Sequence, residues 1–252
     1  MGILLKEGEL VLLVSEDDSY LTEVSNRILN IQSGEIDLKK LEKKKFGGKI
    51  KTHKGKEFFI VKPNIKDILD RKVSRLPQII MPKDVALILA YTGIGPGSLV
   101  VDAGCGSGFL AIFLANYIRG KVVTYEIEKR FAKVAKKNIK ISGLEKFIHF
   151  KQKDIRNGID EKNVDLVTLD MKNSERVVGN AYKVLKPGGW LVVYSPYIEQ
   201  VKAVVEEIKK KGFSEVKTVE NIVRGWQVRE HTLPERSGIL HTGFISFARK
   251  VK

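Results

Sequence analysis

A short segment of the chain combines an acid with closely spaced glycines, and it reads Asp102-Ala103-Gly104-Cys105-Gly106-Ser107-Gly108. The apolar run 99–101 precedes it, and a helical pattern follows it. A strand, a glycine turn and a helix in that order let the backbone approach a bound ligand closely. The spacing is G-x-G-x-G, whereas dinucleotide-binding loops need G-x-G-x-x-G, so a different ligand is indicated. We interpret Cys105 as a buried spacer rather than a nucleophile.

Three further acids follow apolar runs at comparable places, namely Glu126, Asp154 and Asp170. A carboxylate such as Glu126, at the end of a second strand, can accept both hydroxyls of a ribose. The carboxylate of Asp154 can accept a hydrogen bond from an adenine amine. Each acid alone is more often a solvated loop residue or a helix cap than a ligand-binding residue. Together with Asp102 they mark successive strand ends, which open onto one crevice in α/β sheets.

Alternating strand and helix patterns must position these acids. Predicted strands are 99–101, 122–125, 148–151, 164–169, 190–194, near 216–223 and 242–248. Predicted helices are 65–73, 84–91, 110–117, 130–141, 174–185 and 198–211. This alternation is typical of a Rossmann-like α/β fold with a parallel sheet, and the last two strands indicate an antiparallel end.

The first 65 residues have a different pattern. Short apolar runs at 10–14, 20–24 and 58–61 are separated by turn residues, which favours a small β-rich unit, either a barrel or an open sheet. The sequence thus predicts two domains, with a β-rich domain at 1–65 and an α/β domain at 66–252.

The charge is strongly positive, since 45 Lys and Arg residues stand against 30 Asp and Glu residues, for a net charge of +15. Between Asp37 and Lys72, 12 lysines and one arginine stand against five acids. Such a field favours polyanionic partners. The alternative is the charged surface of a heat-adapted protein, which predicts balanced signs.

Other features narrow the class of protein. No apolar run approaches the ~20 residues that span a membrane, and the charged start is unlike a signal peptide. The lone cysteine indicates a cytoplasmic protein without an internal disulfide. The four histidines have no ligand spacing, so we expect no metal.

The segments Asp102–Gly108 and Leu185–Gly189, with Glu126 and Asp154, resemble class I S-adenosylmethionine-dependent methyltransferases over roughly residues 77 to 211. The resemblance implies S-adenosylmethionine as cofactor and S-adenosylhomocysteine as product. It implies the following cofactor-binding residues: Gln78, Ile80, Asp102, Gly104, Cys105, Gly106, Ser107, Gly108, Phe109, Glu126, Ile127, Asp154, Ile155 and Asp170.

A closer resemblance is to the tRNA adenine-N1 methyltransferases that modify position 58 of the T-loop and, in archaeal members, position 57 as well. It rests on the segments Arg75–Asp84, His53–Phe58 and His241–Phe244, and on Asp170 at the end of the fourth strand of the α/β domain. The resemblance implies a tRNA substrate, 1-methyladenosine as product, and a homotetramer with a small β domain before the methyltransferase domain.

Asp170 is the expected catalytic residue, because a carboxylate that accepts from the adenine amine opposes the charge developing on the ring. The expected substrate-binding residues are Lys43, Lys44, Lys45, Lys54, Met81, Lys83, Tyr194, Tyr197 and His241. The chain departs from the family at two places. Lys172 replaces a proline two residues after the acid, and Met81 replaces an aromatic residue. Stacking on the target base is therefore expected to be weaker or to come from Tyr194 or Tyr197.

Two alternatives stay open at this point. Another class I methyltransferase, acting on a protein carboxylate or a tetrapyrrole, shares the glycine loop but does not account for the basic N-terminal segment. A non-catalytic RNA-binding subunit shares the charge, but its cofactor loop is expected to be eroded, whereas this loop is intact.

Overall fold

The computed structural model describes residues 3–76, 79–236, 238 and 240–252. The chain forms two compact units, Met1–Val73 and Ser74–Lys252. The division lies eight residues beyond the expected boundary, because the helix at Ile65–Arg71 belongs to the first unit. Its Arg71 donates to the hydroxyl of Ser19 over 2.7 Å, and Lys72, just after the helix, is ion-paired with Glu23.

The first unit is built mainly from short antiparallel strands. In chain order its elements are β1 Leu10–Val14, β2 Ser19–Glu23, β3 Ile28–Ile31, β4 Gly34–Asp37, a 3₁₀ helix Leu38–Lys43, β5 Lys49–Lys51, β6 Glu57–Val61 and α1 Ile65–Arg71. Four strands form a sheet in the order β2-β1-β6-β5, and β3 and β4 form a separate hairpin. The unit is therefore an open sheet with an added hairpin, which was one of the two predicted forms.

Alternating side chains build the core of this unit. In β6, Phe58 and Ile60 are buried, whereas Phe59 and Val61 are exposed, as a strand with one covered face requires. Strands β3, β4 and β5 were not predicted, since each has only three or four residues and too few apolar positions for a clear period.

The second unit contains one large mixed sheet covered by helices. In chain order its main elements are α2 Pro82–Thr92, β7 Leu99–Ala103, α3 Phe109–Ile118, β8 Lys121–Tyr125, α4 Lys129–Ser142, β9 Ile148–Lys151, β10 Val164–Leu169, α5 Val178–Val184, β11 Leu185–Ser195, α6 Ile198–Lys210, β12 Ser214–Glu220, β13 Trp226–Gln227, β14 Leu233–Pro234 and β15 Phe244–Arg249. Short 3₁₀ helices lie at Ile155–Asn157 and Ser174–Val177.

The strand order in this sheet is β12-β15-β11-β10-β7-β8-β9. The five strands from β11 to β9 are parallel, and β15 is antiparallel to both of its neighbours. This confirms the predicted Rossmann-like fold with an antiparallel end. After β7 the chain continues to β8 on one side of the sheet, and after β10 it continues to β11 on the other side. The carboxyl ends of the adjacent strands β7 and β10 therefore flank a topological switch point, which is where ligands bind in such sheets.

The segment predicted as one helix over 174–185 is shorter and irregular. A 3₁₀ turn precedes α5, which ends at Val184, and β11 begins at Leu185 rather than near Trp190. The strand starts early because Leu185 already pairs with Val164. The pairing register then shifts across Gly188 and Gly189, before Trp190 pairs with Leu166. A side chain on Gly189 would lie 2.9 Å from the carbonyl oxygen of Val164, so this close pairing requires glycine.

None of the helices within the described residues is long and apolar enough to cross a membrane.

Candidate functional site

The glycine loop lies directly against the end of β10. Gly104 has a φ of +83°, and a Cβ atom there would lie 1.9 Å from the carbonyl oxygen of Asp170. Gly108 also has a positive φ, +80°, and its nearest neighbour is Ala135 of α4 at 3.6 Å. Glycine is therefore required at both positions, by the left-handed backbone and, at Gly104, by contact with the neighbouring strand end.

Asp102 is buried beneath the loop at the end of β7. Its two carboxylate oxygens accept hydrogen bonds from the hydroxyls of Thr124 at 2.7 Å and Thr168 at 2.8 Å. These threonines pair with it in the register of β8 and β10. Burial raises the pKa of this carboxyl, and the two hydroxyls oppose that rise. Asp102 was expected to bind cofactor, but at 1% exposure it is placed to hold three strand ends together beneath the loop.

Glu126, just after β8, is held in place by the backbone. One carboxylate oxygen accepts from the N–H of Gly106 and the other from the N–H of Glu128, both at 2.9 Å. A carboxylate oxygen can accept more than one hydrogen bond, so each retains capacity for a ribose hydroxyl. The side chain is thus oriented before any ligand arrives, and it ties the glycine loop to the end of the second strand of the large sheet.

The remaining loop residues include one hydroxyl without a partner. Burial raises the pKa of the Cys105 thiol well above its usual value, so the group stays protonated and acts as a small buried spacer. Ser107 is buried, and its hydroxyl has no hydrogen-bond partner among the described residues. A buried orphan hydroxyl needs a partner. The loop therefore fits a ligand carrying polar groups, as the methionine end of S-adenosylmethionine does.

The apolar residues expected to bind the cofactor differ in accessibility. Ile127 is 53% exposed, whereas Phe109, Ile80 and Ile155 are buried. Gln78 lies outside the described residues.

Asp154 is already engaged in an ion pair. Both of its carboxylate oxygens contact the guanidinium of Arg156 at 2.8 to 3.0 Å, which holds the pKa of the carboxyl below its usual range. It also accepts from the backbone N–H of Arg156 and so caps the short helix that follows. An adenine amine must compete with that guanidinium to reach this carboxylate.

Asp170 stands across the loop from Glu126, at the end of β10. Its backbone N–H donates to the carbonyl of Ala103 at 2.8 Å, while its carboxylate has no hydrogen-bond partner within the described ranges. Burial, with the neighbouring charge of Asp102, raises the pKa of the Asp170 carboxyl to about 7. A desolvated acid without a partner, in a crevice, is typical of a functional site.

Among the expected substrate-binding residues near the carboxyl edge, Tyr197 and Met81 are exposed, at 65% and 40%, and so is His241. Tyr194 is buried and donates its hydroxyl to the carbonyl of Thr242 at 2.5 Å, and its ring leaves no room for a side chain on Gly243. Tyr194 therefore cannot offer a ring face to a base without breaking this packing, and of the two tyrosines the geometry favours Tyr197.

Lys83 is tied into an internal cluster. Its ammonium donates to the carboxylate of Asp84 at 2.9 Å, to the hydroxyl of Thr242 at 2.7 Å and to the carbonyl of Asn221 at 2.5 Å. Asp84 is fully buried. These bonds use all three ammonium protons, so in this arrangement Lys83 braces the start of α2 against the start of β15.

His241 is also occupied. Its Nδ1 contacts the carboxylate of Glu220 at 2.5 Å, and its Nε2 contacts the carbonyl of Pro196 at 3.1 Å. The hydrogen bond to Glu220 is the main cause of a raised pKa for this imidazole. The side chain thus links the ends of β11 and β12, beside the crevice.

In the first unit, four of the expected phosphate-binding lysines are exposed and form no ion pair with a described residue; they are Lys43, Lys44, Lys45 and Lys54. Other lysines of the basic segment are paired, for example Lys56 with Asp17 and Lys66 with Asp70. These four therefore contribute to the free positive charge of the segment, as do Lys39, Lys40 and Lys62, which also form no ion pair with a described residue.

Sequence reasoning missed the residues that orient the others. The Asn138 amide, on α4, donates to the carbonyls of Ser107 and Ser74 at 2.8 and 2.9 Å, and so joins the glycine loop to the segment before α2. Thr124 and Thr168 were overlooked because their role depends on strand register. Only the position of Thr124, two residues before Glu126, was a usable signal.

No group of three or more histidine, cysteine or acidic side chains among the described residues is arranged to hold a metal ion.

A family model and a curated relative indicate the same family. A family model described as "tRNA methyltransferase complex GCD14 subunit" matches residues 67–243. A Methanocaldococcus jannaschii protein, "tRNA (adenine(57)-N(1)/adenine(58)-N(1))-methyltransferase TrmI", is 39% identical, with 94% of each chain covered.

Two solved structures are similar over nearly the whole chain. One, from Thermotoga maritima, is described as an S-adenosylmethionine-dependent O-methyltransferase; it is 31% identical with a TM-score of 0.89, covering 99% of this chain and 95% of its own. The other is the tRNA (m1A58) methyltransferase TrmI from Aquifex aeolicus, at 27% identity and a TM-score of 0.83, covering 98% of each chain.

Proposed function

Because the chain belongs to the GCD14 family of tRNA methyltransferase subunits, we propose that it transfers a methyl group from S-adenosylmethionine to N1 of an adenine in the tRNA T-loop, at position 58 and also at 57. The observation that carries this proposal is the carboxylate of Asp170, which has no hydrogen-bond partner among the described residues and lies beside an intact cofactor loop. A scaffold subunit has no use for either feature.

S-adenosylmethionine, when bound, supplies a methyl group on a positively charged sulfur, which leaves as a neutral thioether. The carboxylate of Glu126 would hold its ribose hydroxyls, and the hydroxyl of Ser107 would pair with a polar group of its methionine end. The carboxylate of Asp154 would accept from its adenine amine in competition with Arg156. No metal takes part, because the methyl carbon is already electrophilic and adenine N1 carries an exposed lone pair.

Asp170 acts on the acceptor adenine. Attack by N1 leaves a positive charge on the ring, and the carboxylate opposes that charge while accepting from the exocyclic amine. The interaction strengthens towards the transition state, so it lowers the barrier rather than only tightening binding. The raised pKa of Asp170 also suits it to take up a proton from the methylated base at neutral pH.

The tRNA must be gripped firmly, because the target adenine has to leave its stack before it can enter the crevice. In the first unit a groove of about 690 Å³ is lined in part by Lys40, Lys44, Lys49 and Lys51. With the exposed Lys43, Lys45 and Lys54, it binds phosphates. Replacing Lys43, Lys44 and Lys45 with Gln is expected to weaken tRNA binding and reduce its salt dependence, while S-adenosylmethionine affinity stays unchanged.

We expect the protein to work as a homotetramer in the cytoplasm, as the family resemblance implies. Light scattering at micromolar concentration tests the assembly, and a stable monomer contradicts it.

The proposed reaction is tested by incubating unmodified tRNA with the protein and S-adenosylmethionine, followed by nucleoside mass spectrometry. We expect 1-methyladenosine from the T-loop fragment. The description of the Thermotoga structure favours one rival, transfer to oxygen, which on RNA yields a 2′-O-methyl nucleoside of the same mass but different fragmentation. Detection of that nucleoside, or of no methylated product with cofactor bound, contradicts the proposal.

A further inference from the structure

Helix α4 carries a dense group of basic side chains that the proposed reaction does not use. Its 14 residues contain no acid, and its six cations are Lys129, Arg130, Lys133, Lys136, Lys137 and Lys140. All six are exposed. We call this set the α4 basic face.

The helical period gathers these charges on one side. At about 100° per residue, the six positions fall within an arc of roughly 120°. The opposite side holds the buried residues Ala132, Ala135, Asn138 and Ile139. The positive charge is therefore concentrated on the solvent side of a helix whose other side is packed.

The charges of the α4 basic face are not balanced within the protein. None of the six forms an ion pair with a described residue. Helix α6 shows what an ordinary solvated helix surface of this chain looks like, since its Lys202, Lys209 and Lys210 are interspersed with acids. Like charges three or four residues apart destabilise a helix. A solvated surface gives no compensation for that cost, whereas an anionic partner does.

The α4 basic face has a fixed position relative to the cofactor loop. Ala135 packs 3.6 Å from where a Cβ of Gly108 would lie, and the amide of Asn138 donates to the carbonyl of Ser107 at 2.8 Å. The helix also begins directly after the segment of Glu126 and Glu128. An anion bound to α4 is thus held at a fixed position relative to the glycine loop.

We propose that the α4 basic face binds the phosphate backbone of the tRNA substrate and so sets the position of the RNA relative to the cofactor loop. This inference rests on the proposed function. The face suits phosphates better than an acidic protein, because it presents point charges without the exposed aromatic or apolar side chains that form the centre of protein interfaces.

The test compares two triple variants that remove the same charge. K133Q/K137Q/K140Q alters the α4 basic face and spares Lys136, whose ammonium lies over the Phe150 ring, as well as the residues next to Glu126. K202Q/K209Q/K210Q alters α6 and is the matched control. Gln and Lys have similar helix propensities, so both variants should fold. Binding of unmodified tRNA is measured over a range of salt concentrations, with S-adenosylmethionine affinity measured in parallel.

We expect the α4 variant to bind tRNA on the order of tenfold more weakly and to lower the salt slope by about 2 to 3, with cofactor affinity unchanged. The α6 variant should stay within about twofold of the wild type. Equal weakening in both variants would assign the effect to overall charge and overturn the proposal, as would unchanged binding in the α4 variant.

A parallel titration with poly-L-glutamate separates the protein alternative, since a loss confined to that probe assigns the face to an acidic protein. Methylation by the wild-type protein distinguishes failure of the α4 assignment from failure of the proposed function. A wild type that methylates tRNA while the α4 variant binds normally overturns only the α4 assignment. A wild type that neither binds nor methylates tRNA overturns the proposed function and this assignment with it.

Discussion

The carboxylates on the two sides of the topological switch point differ in their hydrogen bonding. On the β7–β8 side, each carboxylate oxygen of Asp102 and Glu126 accepts a hydrogen bond from a threonine hydroxyl or a backbone N–H. On the β10–β11 side, the Asp170 carboxylate has no such partner among the described residues, and burial raises its pKa to about 7. The two carboxylates of the first side are hydrogen-bonded before any ligand binds, whereas the Asp170 carboxylate is left for the substrate to complete.

This difference separates binding from chemistry. A satisfied carboxylate is held in one orientation and recognises a constant group at little cost in reorganisation. An unsatisfied one costs stability in the free protein, and it regains that free energy only when a donor or a developing positive charge arrives. Loss of the Glu126 carboxylate on the first side should therefore weaken cofactor binding, whereas loss of the Asp170 carboxylate on the second side should lower the rate of methyl transfer.

The largest effect is expected from Asp170→Asn, which keeps the side-chain shape and removes the charge. We expect kcat to fall on the order of 10²-fold or more, because a preorganised electrostatic group is lost and an amide donor faces the adenine amine. Single-turnover methylation of a T-loop tRNA at saturating cofactor and RNA measures this. Cofactor affinity, measured in parallel, should change little, because Glu126 and Asp154 are the residues expected to hold the ribose and the adenine. Transfer at the wild-type rate would show that the Asp170 carboxylate takes no part in the reaction, since it does not cap the 3₁₀ turn at Ser174–Val177 either.

Glu126→Ala should have a smaller effect, confined to binding. Two charge-assisted hydrogen bonds to ribose are lost at about 1.5–3 kcal/mol each at most, and because such terms are not additive we expect about 10- to 100-fold weaker S-adenosylmethionine binding. Calorimetric titration gives the dissociation constant, and circular dichroism checks that the fold is kept. An unchanged dissociation constant would show that Glu126 only positions the glycine loop, through Gly106.

The pH dependence should give the most modest signal. If ionised Asp170 is the active form, kcat/KM rises up to tenfold per pH unit below about pH 7 and levels off above it. The Asp170→Asn variant should lack this rise of kcat/KM with pH. A rise of the same size in the variant would assign the titration to another group.

The same group predicts a trend in stability. Its folded-state pKa lies above the unfolded value of about 3.9, so the folded protein holds its proton more tightly. Between roughly pH 4 and 7 the group therefore destabilises the protein as the pH rises. Thermal denaturation of wild type and Asp170→Asn over this range checks the sign, because the variant should lack this contribution.

Part of the site followed directly from local patterns. The run 99–101, the acid and the spaced glycines predicted a strand, a tight loop and a helix, and β7, Gly104 and α3 form that sequence of elements. The family resemblance, confirmed by the comparisons, assigned residues to roles. Both kinds of inference depend on contiguous residues, for which the local backbone preferences of glycine and apolar residues are decisive.

Other assignments depended on partners distant in sequence. Lys83 was expected to contact substrate, yet its ammonium lies among Asp84, Asn221 and Thr242, which are up to 159 residues away. Tyr194 was expected to be available for stacking, yet it is packed against Gly243. An exposed and a buried lysine or tyrosine have the same local pattern, so no window of sequence distinguishes them.

The sequence by itself determined the α/β architecture, the glycine loop and the convergence of acids at one edge, because strand ends in a parallel sheet meet there whatever the details of packing. Only the tertiary structure decided which of those acids is free. Asp102 and Asp170 both end strands and both lie beside the loop. The register of β7 with β8 and β10 places two threonine hydroxyls on Asp102, whereas no described residue donates to the Asp170 carboxylate, and that difference is a property of strand pairing rather than of residue type.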